Sequence, residues 1–68
     1  LKRLNLYHER KGNNFTQSDV ARFLNVSDSY YSMIENGKRN PSLLVVRKLE
    51  ELFEHSHDFL LKAKEVEE

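Results

Sequence analysis

Between Phe15 and Ser42 the chain reads FTQSDVARFLNVSDSYYSMIENGKRNPS, two short apolar-periodic segments hinged at Asn25-Val26-Ser27. Thr16 is a good N-cap, because its hydroxyl can accept from an orphan backbone N–H. Asp19, three residues on, completes a capping box. Phe15 before the cap and Val20 after it hold the positions of a hydrophobic staple. Val20, Phe23 and Leu24 follow at helical spacing and predict one apolar stripe. Ala21 beside them is small enough for a neighbouring helix to come close. Asn25 tolerates the left-handed conformation that a sharp turn demands. Ser27 caps a second helix over 27–36, with Asp28 in its first turn, where negative charge suits the macrodipole. Tyr31 and Ile34 lie three apart and face inward. Asp28, Ser29, Ser32, Met33 and Asn36 share the other side, and Gly37 ends the helix just past its C-cap.

Two helices across a short turn form either a helix-turn-helix unit, whose second helix enters a major groove, or an ordinary helical hairpin of a small all-α domain. Spacing alone leaves both open. The flanking sequence adds three more helices. Leu1 to Lys11 reads as the first, with Leu4 and either Leu6 or Tyr7 inward and Gly12 as its stop; Asn13-Asn14 is a loop. Ser42 caps a fourth, running to about residue 54. Val46, Leu49 and Phe53 recur in it at i, i+3 and i+7 as a core stripe, with Leu43 and Leu52 flanking. Ser56 caps a fifth, with Phe59 and Leu60 inward.

A chain of 68 residues makes one small domain with a modest core. It has no Cys, which excludes disulfides and thiolate metal sites and fits a reducing cytoplasm. No apolar run is long enough to cross a membrane, and no signal-peptide pattern is visible. The net charge is zero, but it is unevenly placed. Residues 1–49 hold nine bases and four acids, a net +5; residues 50–68 hold two bases and seven acids, a net −5. The basic part contains the two-helix unit and suits a phosphate-bearing partner. His55-x-His57 lacks a convincing third ligand, so no metal is expected. No nucleophile–base set or glycine-rich phosphate loop stands out, so neither an enzyme nor a cofactor is expected.

The run Thr16-Gln17, Val20-Ala21, Val26-Ser27, Ser32, Ile34-Glu35 and Gly37-Lys38-Arg39-Asn40-Pro41-Ser42 closely resembles the phage-repressor (Cro/lambda-repressor-like, XRE-type) helix-turn-helix family. The likeness continues to Ser56-His57-Asp58-Phe59-Leu60-Leu61, which is similar to the family's last helix. The resemblance implies an all-α fold, a compact five-helix lambda-repressor-like DNA-binding domain with the helix-turn-helix at helices 2 and 3. The domain is expected over 1–64, with an acidic tail at 65–68. Two departures stand out. Glu50 occupies a position where the family usually packs an Ala; it either reaches solvent or accepts from a buried donor. The Lys11-Gly12 step comes two residues earlier than the family's Lys-Gly.

The resemblance also implies roles for individual residues. Gln17 matches a family Gln that bonds a phosphate and orients the recognition helix. Asp28, Ser29 and Met33 match base-reading positions. As side chains, Asp28 can accept from a cytosine amino group and Met33 can pack on a thymine methyl. None of the three makes the bidentate base contacts of Arg, Gln or Asn, so affinity should rest largely on phosphates or on DNA shape. Ser27 and Ser32, with Asn36, Lys38 and Arg39, complete the expected DNA-binding set. Tyr30 is either a phosphate ligand at the flank or a half-buried core ring. Arg10 stands where the family has an Arg paired with the Glu that matches Glu35, so an Arg10–Glu35 ion pair between helices 1 and 3 is expected.

The expected function is therefore sequence-specific binding of double-stranded DNA by a cytoplasmic bacterial or phage transcriptional regulator, most simply a repressor, acting as a homodimer on a two-fold operator. Leu44, Val45 and Leu52 lie off the helix 4 stripe and are the expected dimer patch. The alternative is a protein-interaction module on the same fold, such as an antitoxin or anti-repressor component, for which the acidic C-terminal part speaks. The chain begins without Met, as a trimmed part of a longer regulator would.

Overall fold

A computed structural model describes residues 2–62 of the chain. The acidic tail expected at 65–68, and the domain boundary at 64, lie outside the described residues. Five helices follow in order: α1 Leu4–Gly12, α2 Gln17–Leu24, α3 Asp28–Glu35, α4 Leu43–Phe53 and α5 His57–Leu60. No strand occurs among the described residues, and the architecture is all-α.

Serine and threonine set most of the helix starts. Thr16 Oγ1 accepts from Asp19 N at 3.0 Å, and Asp19 Oδ2 accepts from Thr16 N at 2.9 Å, a complete capping box. That backbone bond, with the threonine hydroxyl, holds the Asp19 carboxyl below its usual range. Ser27 and Ser42 accept in the same way from Tyr30 N and Val45 N. At α5 the cap is doubled. Ser56 accepts from Phe59 N, while the Glu50 carboxylate, one turn before the end of α4, accepts from His57 N at 2.7 Å and contacts His57 Nδ1 at 2.8 Å. Glu50 thus does not sit unpaired in the core. Bonds to the His57 side chain and backbone lower its pKa, and Glu50 with Asp58 raises that of His57.

Left-handed residues follow α1 to α4. Asn25 adopts φ 62° and turns the chain between α2 and α3. Gly37 at φ 76° closes α3. Its N–H donates to Ile34 O and the N–H of Lys38 donates to Met33 O, the paired bonds of a Schellman motif. Helix α1 departs from the expected stop. Gly12 lies inside the helix, and the left-handed residue is Asn14 (φ 62°). The reason is local bonding: Asn13 Nδ2 donates to Glu9 O, and Phe15 N to Arg10 O, so the carbonyl end of α1 is satisfied beyond Gly12. A side chain at Gly12 would meet open space, so glycine is not required there. The helix also starts at Leu4 rather than Leu1, because the N–H of Arg3 bonds Glu35 O across the domain.

One core unites all five helices: Leu6, Val20, Ala21, Leu24, Tyr31, Ile34, Val45, Leu49, Phe53 and Leu60. Phe15 packs on Phe53 with ring centroids 6.3 Å apart. Of the α1 candidates, Leu6 is fully buried, while Leu4 and Tyr7 are half-buried. Three expectations shift by about one residue. On α2 the buried face is Val20, Ala21 and Leu24, and Phe23 is 45% exposed; α2 packs chiefly on α3. On α5 Leu60 is buried, whereas Phe59 is 40% exposed and stacks on His55.

On α4 the buried face is Val45, Leu49 and Phe53, and Val46 is only half-buried. Val45 is 5% exposed, so it belongs to the core and not to a dimer patch. Both phases of the stripe are helical; packing against α2 and α5 selects the one that turns Val45 inward. Leu52 is half-buried against the same core, and Leu43 and Leu44 stand out at 67% and 64% exposure. Truncating Val45 to Ala should therefore lower unfolding stability by about 2–3 kcal/mol. Leu44→Ala should change it by no more than about 0.5 kcal/mol. Urea melts of the two variants check the register.

Candidate nucleic-acid interface

The side of α3 that faces α1 and α2 ends in a buried carboxylate. Glu35 is 1% exposed and accepts four hydrogen bonds. Arg10 donates twice, Nε to Oε2 at 2.8 Å and Nη2 to Oε1 at 3.1 Å. Gln17 Nε2 donates to Oε1 at 2.8 Å, and the Tyr31 hydroxyl to Oε2 at 3.0 Å. Arg10 also donates Nη1 to Phe15 O. Arg10 and Glu35 thus form a bidentate pair between α1 and α3. Among the described residues no buried side-chain nitrogen or oxygen lacks a partner. Burial works against the Glu35 charge, but bonds from Arg10 and Gln17, the charge of Arg10 and the Tyr31 hydroxyl outweigh it and hold the carboxyl below its ordinary value. Burial and the Glu35 charge push the Tyr31 phenol up, so it stays a donor.

This arrangement decides how α3 is presented. With Tyr31, Ile34 and Glu35 locked inward, the opposite face carries Asp28, Ser29, Ser32, Met33 and Asn36. Asp28, Ser29 and Asn36 are exposed, and Ser32 and Met33 half-exposed. Asn36 Nδ2 donates to Ser32 Oγ at 3.3 Å. Ser27 is exposed, with its hydroxyl oxygen committed to the α3 cap. Ser18 Oγ donates to Asp28 Oδ2 at 2.5 Å and ties the start of α2 to the start of α3. Nothing in the sequence spacing pairs Ser18 with Asp28.

Gln17 sits at the first position of α2, half-buried. One of its amide N–H bonds goes to Glu35, which leaves the second for another acceptor. The basic loop follows α3 directly, and Lys38 and Arg39 are exposed. The Arg39 guanidinium lies 5.3 Å from the centre of the Tyr30 ring. Tyr30 itself is half-buried against the core, the second of its two expected readings. Of the expected dimer residues, only Leu44 is well exposed; it is joined by Leu43, and both belong to α4.

A residue that sequence reasoning missed lies behind the loop. Arg3 is 7% exposed, and its guanidinium donates to Ile34 O at 2.5 Å, Arg39 O at 2.8 Å, Asn40 Oδ1 at 2.8 Å and Leu61 O at 3.0 Å. These partners lie 31 to 58 residues away, and no local periodicity signals them.

The Glu35 centre leads to a stability test. Glu35→Gln leaves the buried Arg10 without a counter-charge and should lower unfolding stability by about 3–5 kcal/mol at neutral pH. The folded-state pKa of Glu35 is lowered, so its contribution is fully present above the ordinary value of 4.5 and is lost as pH falls through the folded value. Urea melts between about pH 5 and pH 3 should therefore show wild type losing stability faster than Glu35→Gln.

Comparison with known proteins fits this geometry. A family model described as helix-turn-helix matches residues 6–60, from within α1 to the end of α5. Over 37 residues the chain is 49% identical to the uncharacterized HTH-type transcriptional regulator YqaF of Bacillus subtilis (strain 168). That match covers 54% of this chain and 49% of the relative, so the chain spans about half of the curated protein it resembles. With five helices, a turn at Asn25 and a match over most of its length, the chain belongs to the helix-turn-helix family of the phage-repressor (XRE) type.

Proposed function

We propose that this domain binds double-stranded DNA as the reading head of a cytoplasmic transcriptional regulator, with α3 in the major groove. One observation carries the reading. The Glu35 centre clamps the inner side of α3 to α1 and α2 and leaves a polar outer face continuous with Lys38 and Arg39. Helix-turn-helix proteins use such a face, with phosphate contacts setting register and side chains on the helix reading base edges.

In this reading Gln17 gives its free amide N–H to a phosphate at the start of α2, and Lys38 and Arg39 neutralise phosphates past the end of α3. Ser27, Ser32 and Asn36 contact the backbone at the flanks. Asp28, Ser29 and Met33 meet the bases. Asp28 carries only acceptors, so it takes the amino group of a cytosine as its donor. The domain acts as a repressor and as a homodimer on a two-fold site, with Leu44, Leu43 and the edge of Leu52 in the contact between copies. Support for the dimer is the exposure of Leu43 and Leu44 side by side on α4.

Duplex binding across a salt series tests the reading. The wild-type chain should bind DNA with an affinity that falls steeply with salt, and Lys38→Ala/Arg39→Ala together should reduce the log–log slope by about two. No binding at moderate salt would refute the reading. It would favour the protein-interaction alternative, in which the acidic −5 segment from Glu50 onward meets a partner.

A further inference from the structure

Arg3 is an unusual buried cation. Four of its N–H donors are used, and none of the acceptors is a carboxylate. Ile34 O belongs to the last turn of α3, where the macrodipole favours positive charge. Arg39 O and Asn40 Oδ1 belong to the loop beyond, and Leu61 O follows α5. The backbone N–H of Arg3 adds a bond to Glu35 O at 2.9 Å. One side chain therefore joins the end of α3, the basic loop and the end of α5.

The loop is held from two sides. Its start is closed by the Schellman bonds at Gly37 and Lys38. Arg39 is then fixed through its backbone by Arg3, while its own guanidinium rests over Tyr30. An exposed loop free of such ties would lose conformational freedom when it closed on a phosphate; a loop already ordered does not.

We propose that Arg3 is a positioning residue for DNA binding, holding the Lys38-Arg39 loop in its phosphate-contacting conformation by bonding Ile34, Arg39 and Asn40 at once. This rests on the DNA-binding reading above. Arg3 itself contacts no DNA in this scheme; it acts through Arg39. Lysine cannot replace it, because an ammonium is a point donor without the planar fork that reaches several carbonyls in different directions.

The test is anisotropy titration of a labelled mixed-sequence duplex over a salt series, using the full chain. Four proteins are compared: wild type, Arg3→Lys, Asn40→Ala and Leu60→Val. Asn40 is exposed and contributes one bond to Arg3, so its truncation leaves the core intact. Leu60→Val weakens the core near α5 without touching the loop, and thermal melts identify it as the control for lost stability. Arg3→Lys and Asn40→Ala should each weaken binding roughly three- to tenfold and lower the salt slope by about one, while Leu60→Val keeps the wild-type slope. Wild-type affinity and slope in both Arg3→Lys and Asn40→Ala would overturn the proposal, as would an equal loss in Leu60→Val. Failure of wild type itself to bind would instead overturn the DNA-binding reading on which the proposal stands.

Discussion

A carboxylate buried at the end of a helix is unfavourable unless every lone pair is answered, and Glu35 is answered from three directions. Arg10 comes from α1, Gln17 from α2 and Tyr31 from α3 itself. The apolar contacts that join these helices are non-directional and tolerate sliding. The hydrogen bonds do not, since a displacement of an ångström would leave a charge unpaired in the core. The centre thus sets the relative position of α1, α2 and α3, and with it the face that α3 turns outward. It also commits one N–H of Gln17, so the helix N-terminus proposed to hold a phosphate is oriented by the same group that holds α3.

The remaining order is built from turn chemistry that leaves few backbone groups unpaired. Ser and Thr caps start α2, α3, α4 and α5, and Asn25, Gly37 and Glu54 take the left-handed conformation at helix ends. Two further devices bring distant segments together. Glu50 reaches from α4 to the first N–H of α5, and Arg3 reaches from the N-terminal segment to carbonyls at the ends of α3 and α5. Both place a formal charge against the partial charge of a helix end, which suits a domain too small to rely on apolar burial alone.

Much of this was legible in the sequence where the signal is local. The caps at Thr16, Ser27, Ser42 and Ser56, the turn at Asn25, the end at Gly37 and the inward pair Tyr31 and Ile34 all follow from residues within a turn of one another. The Arg10–Glu35 pair was reached through family resemblance, since no spacing links those two positions. Legibility failed where tertiary packing chooses between equivalent local patterns. Val45 and Val46 are adjacent and identical, and only the docking of α4 on its neighbours buries Val45. Phe23 and Phe59 read as core because they are large and apolar, yet a small Ala21 and a fully buried Leu60 hold the inner positions. Gly12 read as a stop, but Asn13 and Phe15 satisfy the carbonyls past it. Arg3 had no signal, because each of its partners is long-range.

The central claim is that Glu35 is ionised inside the fold and that its bonds organise the three helices presenting the proposed DNA-binding face. Carboxyl carbon NMR of the folded chain, titrated with acid, tests this most directly. The expected result is a Glu35 midpoint below 4.5, moving upward in Arg10→Met or Gln17→Ala. A midpoint at or above that value in the folded wild type would show that burial dominates over its partners, and would contradict the account.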